Sequence, residues 1–180
     1  KRYINALAIR PGDVLAKQYT FNLAIARARY RAERRYDHQT HIGVCCWDLA
    51  HNAAGRAHTL ATIYKNIPGT HVELLGGLFQ RNGGEVWGPI RDASMPIHTV
   101  SIGTNHEGFI DQAIAFVGAH PQDIVHLIKP RFPNIVLGLL YKLLWGARVV
   151  VDVDDEELAF VNADRPLTVM EWLRNPTGTD

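Results

Sequence analysis

Three short segments hold most of the residues that could do chemistry. The first is Asp48-Leu49-Ala50-His51-Asn52-Ala53-Ala54-Gly55-Arg56. A glycine near a helix start lets the backbone approach an anion closely, which makes His51, Asn52, Gly55 and Arg56 candidate substrate-binding residues. A tight turn accounts for the same glycine without any ligand. The second segment, Lys129-Pro130-Arg131, carries two cations able to meet a phosphate or a carboxylated sugar. Solvated loop charges explain them equally well. The third, Val151-Asp152-Val153-Asp154-Asp155-Glu156-Glu157, is a run of carboxylates. Carboxylates ahead of a helix cap it and suit its dipole. At a sheet edge they can instead hold sugar hydroxyls or act as a base.

Several chemistries are excluded by pattern. The chain has no G-x-G-x-x-G fingerprint, no phosphate-binding G-x-x-x-x-G-K-[ST] loop and no G-x-S-x-G elbow. None of its nine histidines falls in a spacing such as H-E-x-x-H, so no metal is expected. A receiver domain needs acidic residues after strands one and three and a lysine after strand five. Here the acids follow strand five and the lysine follows strand four.

These segments must be held by regular elements. Apolar runs at His41–Trp47, His71–Leu75, Ile97–Ile102, Asp123–Lys129 and Arg148–Val153 read as five strands, the second closed by Gly76-Gly77. Between them, Asn52–Asn66, Glu107–His120 and Pro133–Trp145 show helical periodicity, with Ala57, Leu60, Ala61 and Tyr64 on one face of the first. Arg81–Met95 is rich in turn residues and reads as an ordered loop. Glu156–Phe160 and Leu167–Leu173 look helical. Strands alternating with helices predict an α/β fold, a Rossmann-like parallel sheet with helices on both faces. Strand one is expected beside strand four, with ligands outside the carboxyl ends where strand order reverses.

Charge divides the chain. Residues 1–37 hold nine Lys/Arg against three Asp/Glu, whereas the whole chain of 180 residues carries only +1. We therefore read residues 1–37 as a basic N-terminal helical segment and 38–180 as the α/β domain. The helix opens at Pro11-Gly12-Asp13, with an apolar stripe through Leu15, Tyr19, Leu23, Ala26 and Tyr30. Residues Ala6 to Asp13 with the Ala-rich helix after them resemble the end of a tetratricopeptide repeat. Arg27, Arg29, Arg31, Arg34 and Arg35 suit a helix C-terminus or a peripheral membrane or protein contact. The net charge argues against a nucleic-acid partner. Cys45 and Cys46, adjacent in a strand, point to opposite faces and exclude a disulfide framework. No signal peptide is visible, and the longest apolar stretch, Ile135–Trp145, is too short to span a bilayer. A cytoplasmic location, extending to the inner face of the membrane, is expected.

Together the segments resemble the N-terminal lobe of a group 1 glycosyltransferase of the retaining family 4, with the GT-B fold. The resemblance covers about residues 41 to 160. It rests on Gly55-Arg56 with Leu60-Ala61, on Asp123-Ile124-Val125-His126 with Lys129-Pro130-Arg131, and on Leu139-Leu140-Tyr141-Lys142 leading to Gly146 through Asp155. It implies an acceptor-side domain that moves a sugar to a glycan, a lipid-linked or another acceptor. The nucleotide-diphosphate sugar donor is then held by a C-terminal lobe outside this chain, with no cofactor in this chain and no turnover by this lobe alone. Many relatives place His-Asp after strand five, where this chain has Asp154-Asp155. The resemblance therefore assigns Asp154 to the cleft as the catalytic candidate and leaves Lys129, Arg131, Asp152 and Asp155 as substrate contacts. The alternatives are a non-catalytic Rossmann-like binding module and a repeat-associated interaction protein.

Overall fold

Five apolar segments, each too short for a helix and each bounded by turn residues, pair side by side in the computed structural model. It describes residues 21–29, 38–103 and 108–153. The elements run β1 (Thr40–Cys46), α1 (Ala53–Lys65), β2 (Thr70–Phe79), β3 (Ile97–Ile102), α2 (Phe109–Ala119), β4 (Ile124–Ile128), α3 (Asn134–Trp145) and β5 (Arg148–Asp152). Two single 3₁₀ turns, Gln80–Asn82 and Gly88–Ile90, punctuate the β2–β3 connection. The sheet has the order β3-β2-β1-β4-β5 and every pair is parallel. Parallel neighbours require crossovers and buried faces. α1 covers one face, and α2 with α3 covers the other. This is a Rossmann-like α/β fold.

The period-2 alternation of the strands divides the core into two layers. Ile42, Val44, Cys46, Val72 and Leu74 pack on Ala54, Ala57 and Ala61 of α1. Cys45, Leu75, Val125 and Leu127 pack on Phe109, Ala113, Val117, Leu137 and Tyr141 of the other helices. The adjacent cysteines do face opposite layers. Both thiols are buried and free, and desolvation drives both pKa values upward, that of Cys46 to about 12.

β2 departs from its expected end. The strand does not stop at Leu75 but continues through Gly76-Gly77 to Phe79. The two glycines are not a turn; they are where the chain leaving β1 crosses β2. A Cβ on Gly76 would overlap the Cys46 carbonyl oxygen and lie 3.0 Å from Leu49 Cγ. One on Gly77 would lie 2.8 Å from the Trp47 carbonyl oxygen. Leu49 N–H donates to the Gly77 carbonyl at 2.8 Å, which closes the crossing.

Residues 21–29 are helical. Leu23 packs on the α2/α3 layer and the Arg27 guanidinium donates to the Leu144 carbonyl at the end of α3. Ala26, expected on the apolar stripe, is exposed, because the packed face runs through Leu23 and Arg27. The expected helix start at Pro11–Asp13, the arginines from Arg31 to Arg35, and the segments Glu156–Phe160 and Leu167–Leu173 lie outside the described residues. Among the described residues no helix is long and apolar enough to cross a membrane.

Candidate functional site at the carboxyl edge of the sheet

Strand order reverses between β1 and β4, so the crossovers from these two strands leave in opposite directions and open a crevice at their carboxyl ends. Asn134, the first residue of α3, closes the floor of this seam. Fully buried, it donates through Nδ2 to the carbonyls of Cys45 at 3.1 Å, Ile128 at 2.6 Å and Lys129 at 3.2 Å. Lys129 sits at φ +67°, a left-handed conformation that costs a non-glycine residue about 1–2 kcal/mol. Its backbone is held at both ends: the N–H donates to the Asp152 carbonyl at 3.0 Å and the carbonyl accepts from Asn134.

Asp48 fixes the loop after β1. Its carboxylate is fully buried and accepts from Ala50 N–H at 2.8 Å, Phe79 N–H at 3.3 Å and Asn82 Nδ2 at 2.6 Å. His51 Nε2 lies 3.6 Å from it. That framework holds Trp47, the residue directly after β1, against the α2/α3 layer. The indole meets the His51 ring edge-on at 5.0 Å and the Phe79 ring at 5.7 Å. The Arg131 guanidinium lies over the indole, 5.3 Å from the centroid, and Arg81 lies 4.9 Å from that of Phe79. Cations over aromatic faces are held by the ring quadrupole. The result is an aromatic wall carrying two guanidinium groups.

A second group of residues lies on the α1 side of the same edge. Arg56 donates through Nε and Nη2 to Asp152 Oδ2 at 2.9 and 2.7 Å, joining the first turns of α1 to the end of β5. The pair borders an open groove of about 550 Å³ lined by Arg56, Thr59, Leu60, His126, Val150 and Asp152. His126 Nδ1 and the Tyr64 hydroxyl share a hydrogen bond of 2.9 Å. Burial lowers the His126 pKa, Asp152 opposes that shift and Arg56 adds to it, so the ring is neutral at pH 7.

The structure thus divides the residues singled out from the sequence. Trp47 and Arg131 belong to the α3 side of the sheet edge, with His51 against the indole, while Arg56 and Asp152 meet on the α1 side. Gly55 lies in the first turn of α1, where a Cβ would meet the Trp87 ring at 3.4 Å, an ordinary contact distance. Asn52 is the N-cap of α1 without a side-chain cap bond; it contacts His51 Nδ1 at 2.8 Å, and Ala53 N–H donates to the same nitrogen at 3.1 Å. Asp154 and Asp155 lie outside the described residues. Sequence reasoning missed Trp47, hidden as the last apolar residue of a strand, and Asn134, hidden behind Pro133. It also missed Asp48 as the anchor, although an acid directly after an apolar run is a legible signal. Comparison of the chain with protein-family models, with curated proteins and with solved structures finds no match.

Proposed function

We propose that this chain is the acceptor-side lobe of a nucleotide-sugar-dependent glycosyltransferase of the GT-B type. The observation that carries the reading is the wall of Trp47, His51 and Arg131 at the point where strand order reverses. A sugar ring offers an apolar C–H face and a rim of hydroxyls. An indole matches the face, and a histidine edge matches the rim. Lys129 and Arg131 add attraction for a phosphate or carboxylate on the acceptor.

In this reading Trp47 orients the acceptor ring. Arg131 and Lys129 hold its anionic group, and the buried Asp48 and Asn134 keep the wall from moving. Asp154 and Asp155, which follow β5 in the sequence, are kept as the catalytic candidate and a substrate contact on the strength of the resemblance alone. The Arg56–Asp152 pair holds the end of β5 against α1. Rate enhancement comes from positioning an acceptor hydroxyl against a donor supplied by the second lobe. The donor is a nucleotide-diphosphate sugar, and the product is a glycosylated glycan or lipid.

The test uses the complete protein, incubated with uridine- and guanosine-diphosphate sugars and a panel of glycan and lipid-linked acceptors. Transfer is expected, and Trp47→Ala should raise the acceptor KM about tenfold, the loss of one stacking contact of roughly 1.4 kcal/mol. The donor KM should hold. An absence of transfer across the panel, or a Trp47→Ala enzyme with unchanged acceptor KM, overturns the reading in favour of a non-catalytic Rossmann-like binding module.

A further inference from the structure

The opposite, amino edge of the sheet gathers histidines around a single carboxylate, on the face covered by α2 and α3. Glu73 of β2 lies with Oε1 3.3 Å from His71 Nε2 and 4.0 Å from His98 Nε2 of β3. The His98 ring stacks on that of His120, at the end of α2, with centroids 3.8 Å apart. One ligand atom from each of Glu73, His98 and His120 lies within 4.8 Å of the others. The His71 ring in turn packs on His41 at 4.7 Å.

Several features hold this group in place. Gln122 Nε2 donates to Glu73 Oε2 at 2.5 Å, leaving Oε1 turned to the histidines. Gln122 can lie flat over β1 because residue 43 is glycine; a Cβ there would sit 2.9 Å from Gln122 Cγ. The buried Tyr141 hydroxyl donates to the His120 carbonyl at 2.7 Å and fixes the turn that carries the ring. Gln122 itself is only 2% exposed, and its Oε1 has no hydrogen-bond partner. A buried amide oxygen without a donor is uncommon and calls for an explanation. A water bound to a metal ion is a donor of the kind it lacks.

We propose that Glu73, His98 and His120 form a binding site for a divalent transition-metal ion of the zinc class. Two imidazoles and one carboxylate suit zinc, cobalt or nickel rather than calcium or magnesium, which take oxygen ligands. Tetrahedral ligands stand about 2.0–2.1 Å from zinc, so the ligand atoms must close from their present separations of up to 4.8 Å. His71, on the same oxygen of Glu73, supplies a fourth ligand or leaves that place to water. Gln122 is the partner that orients the carboxylate, as outer-sphere groups do in metal sites. The ion would tie β2, β3 and the α2–β4 turn together. The site stands at the edge opposite the crevice and does not depend on the function proposed above. No linear motif announces it, because its three residues come from three separate elements.

The experiment is a Co²⁺ titration of the tag-free chain, followed by its visible ligand-field absorption, with Zn²⁺ as competitor. One equivalent should bind, Zn²⁺ should displace it, and Zn²⁺ should raise the melting temperature in a manner that a chelator reverses. His98→Ala and His120→Ala should each weaken binding at least tenfold, and Gln122→Ala about 10–100-fold. His120→Gln retains a polar side chain and serves if the alanine variant fails to fold. His58→Ala, on α1 at the other face of the sheet, should bind as the wild type does. The absence of saturable 1:1 binding, or binding that survives the combined His98→Gln, His120→Gln change, overturns the proposal.

Discussion

Gly76→Ala tests whether the crossing of the β1 exit over β2 is what requires glycine. The backbone of residue 76 is ordinary extended strand, so alanine adds no dihedral strain. Its methyl group, however, would overlap the Cys46 carbonyl oxygen and press on Leu49 at 3.0 and 3.1 Å from Cγ and Cδ1. A leucine side chain can turn away, but the carbonyl belongs to the β1 ladder and cannot. Overpacking of this kind costs about 1–3 kcal/mol. If the loop lifts to relieve it, the Leu49–Gly77 hydrogen bond is lost at a further cost of about 1 kcal/mol. The lower entropy of the unfolded alanine chain returns roughly 0.4–1 kcal/mol. A net loss of about 1–3.5 kcal/mol is expected, read from urea denaturation followed by tryptophan fluorescence and circular dichroism. Gly118→Ala is the internal reference, for a Cβ there meets nothing within 4 Å. In the last turn of α2 that change should be neutral or stabilise by up to about 0.5–1 kcal/mol. A Gly76→Ala protein within about 0.5 kcal/mol of wild type, the range of neutral surface changes, would refute the reasoning.

Three other outcomes are expected. Asp48→Ala strands the buried Ala50 and Phe79 N–H donors, removes the Asn82 contact and should cost roughly 2–4 kcal/mol in the same denaturation assay; Asp48→Asn, which keeps one acceptor, should cost less. His126 is held below its ordinary pKa by burial, so the unfolded chain binds its proton more readily than the folded one. Its contribution to stability is therefore fully present well above the unfolded value of about 6.5 and is lost as the pH falls below it toward the lowered folded-state pKa, so wild type should lose more stability between pH 7.5 and 5.5 than His126→Phe. Cys45 and Cys46, buried with raised pKa values, should resist a thiol reagent in the folded chain and react once urea unfolds it; rapid labelling under native conditions would contradict their placement in the two layers.

The strands were legible because their apolar runs are short and bounded by turn residues. The bounds expected for the third strand are those observed, and the parallel pairing of β1 with β4 followed from the strand–helix alternation alone. The end of β2 was not legible. Gly-Gly usually marks a turn, and only the neighbouring loop, unseen in a linear reading, shows that it marks a close approach. The candidate site was legible in part for the same reason. Residues that follow strands could be named, but which side of the sheet edge each occupies depends on strand register. Arg56 and Asp152 therefore meet each other, and Arg131 meets Trp47 instead. Asn134 and Glu73 were beyond reach, because their significance lies entirely in partners distant along the chain.

The all-parallel sheet also dictates an order of assembly. The pairings β1–β2, β2–β3 and β4–β5 join strands that follow one another in the chain, so each closes a modest loop. The β1–β4 pairing alone joins distant segments, with His41 and Asp123 exchanging backbone and side-chain bonds across a separation of 82 residues. Loop-closure entropy concentrates on that seam, and long-range parallel pairing is slow. On loop-closure grounds the three-stranded half β1–β3 is expected to pair first, with the β1 edge open until β4 joins it. The crevice is then expected to be the last part of the sheet to form, and until Asn134 bridges the two halves the exposed edge of β1 is the surface at which misassembly would begin.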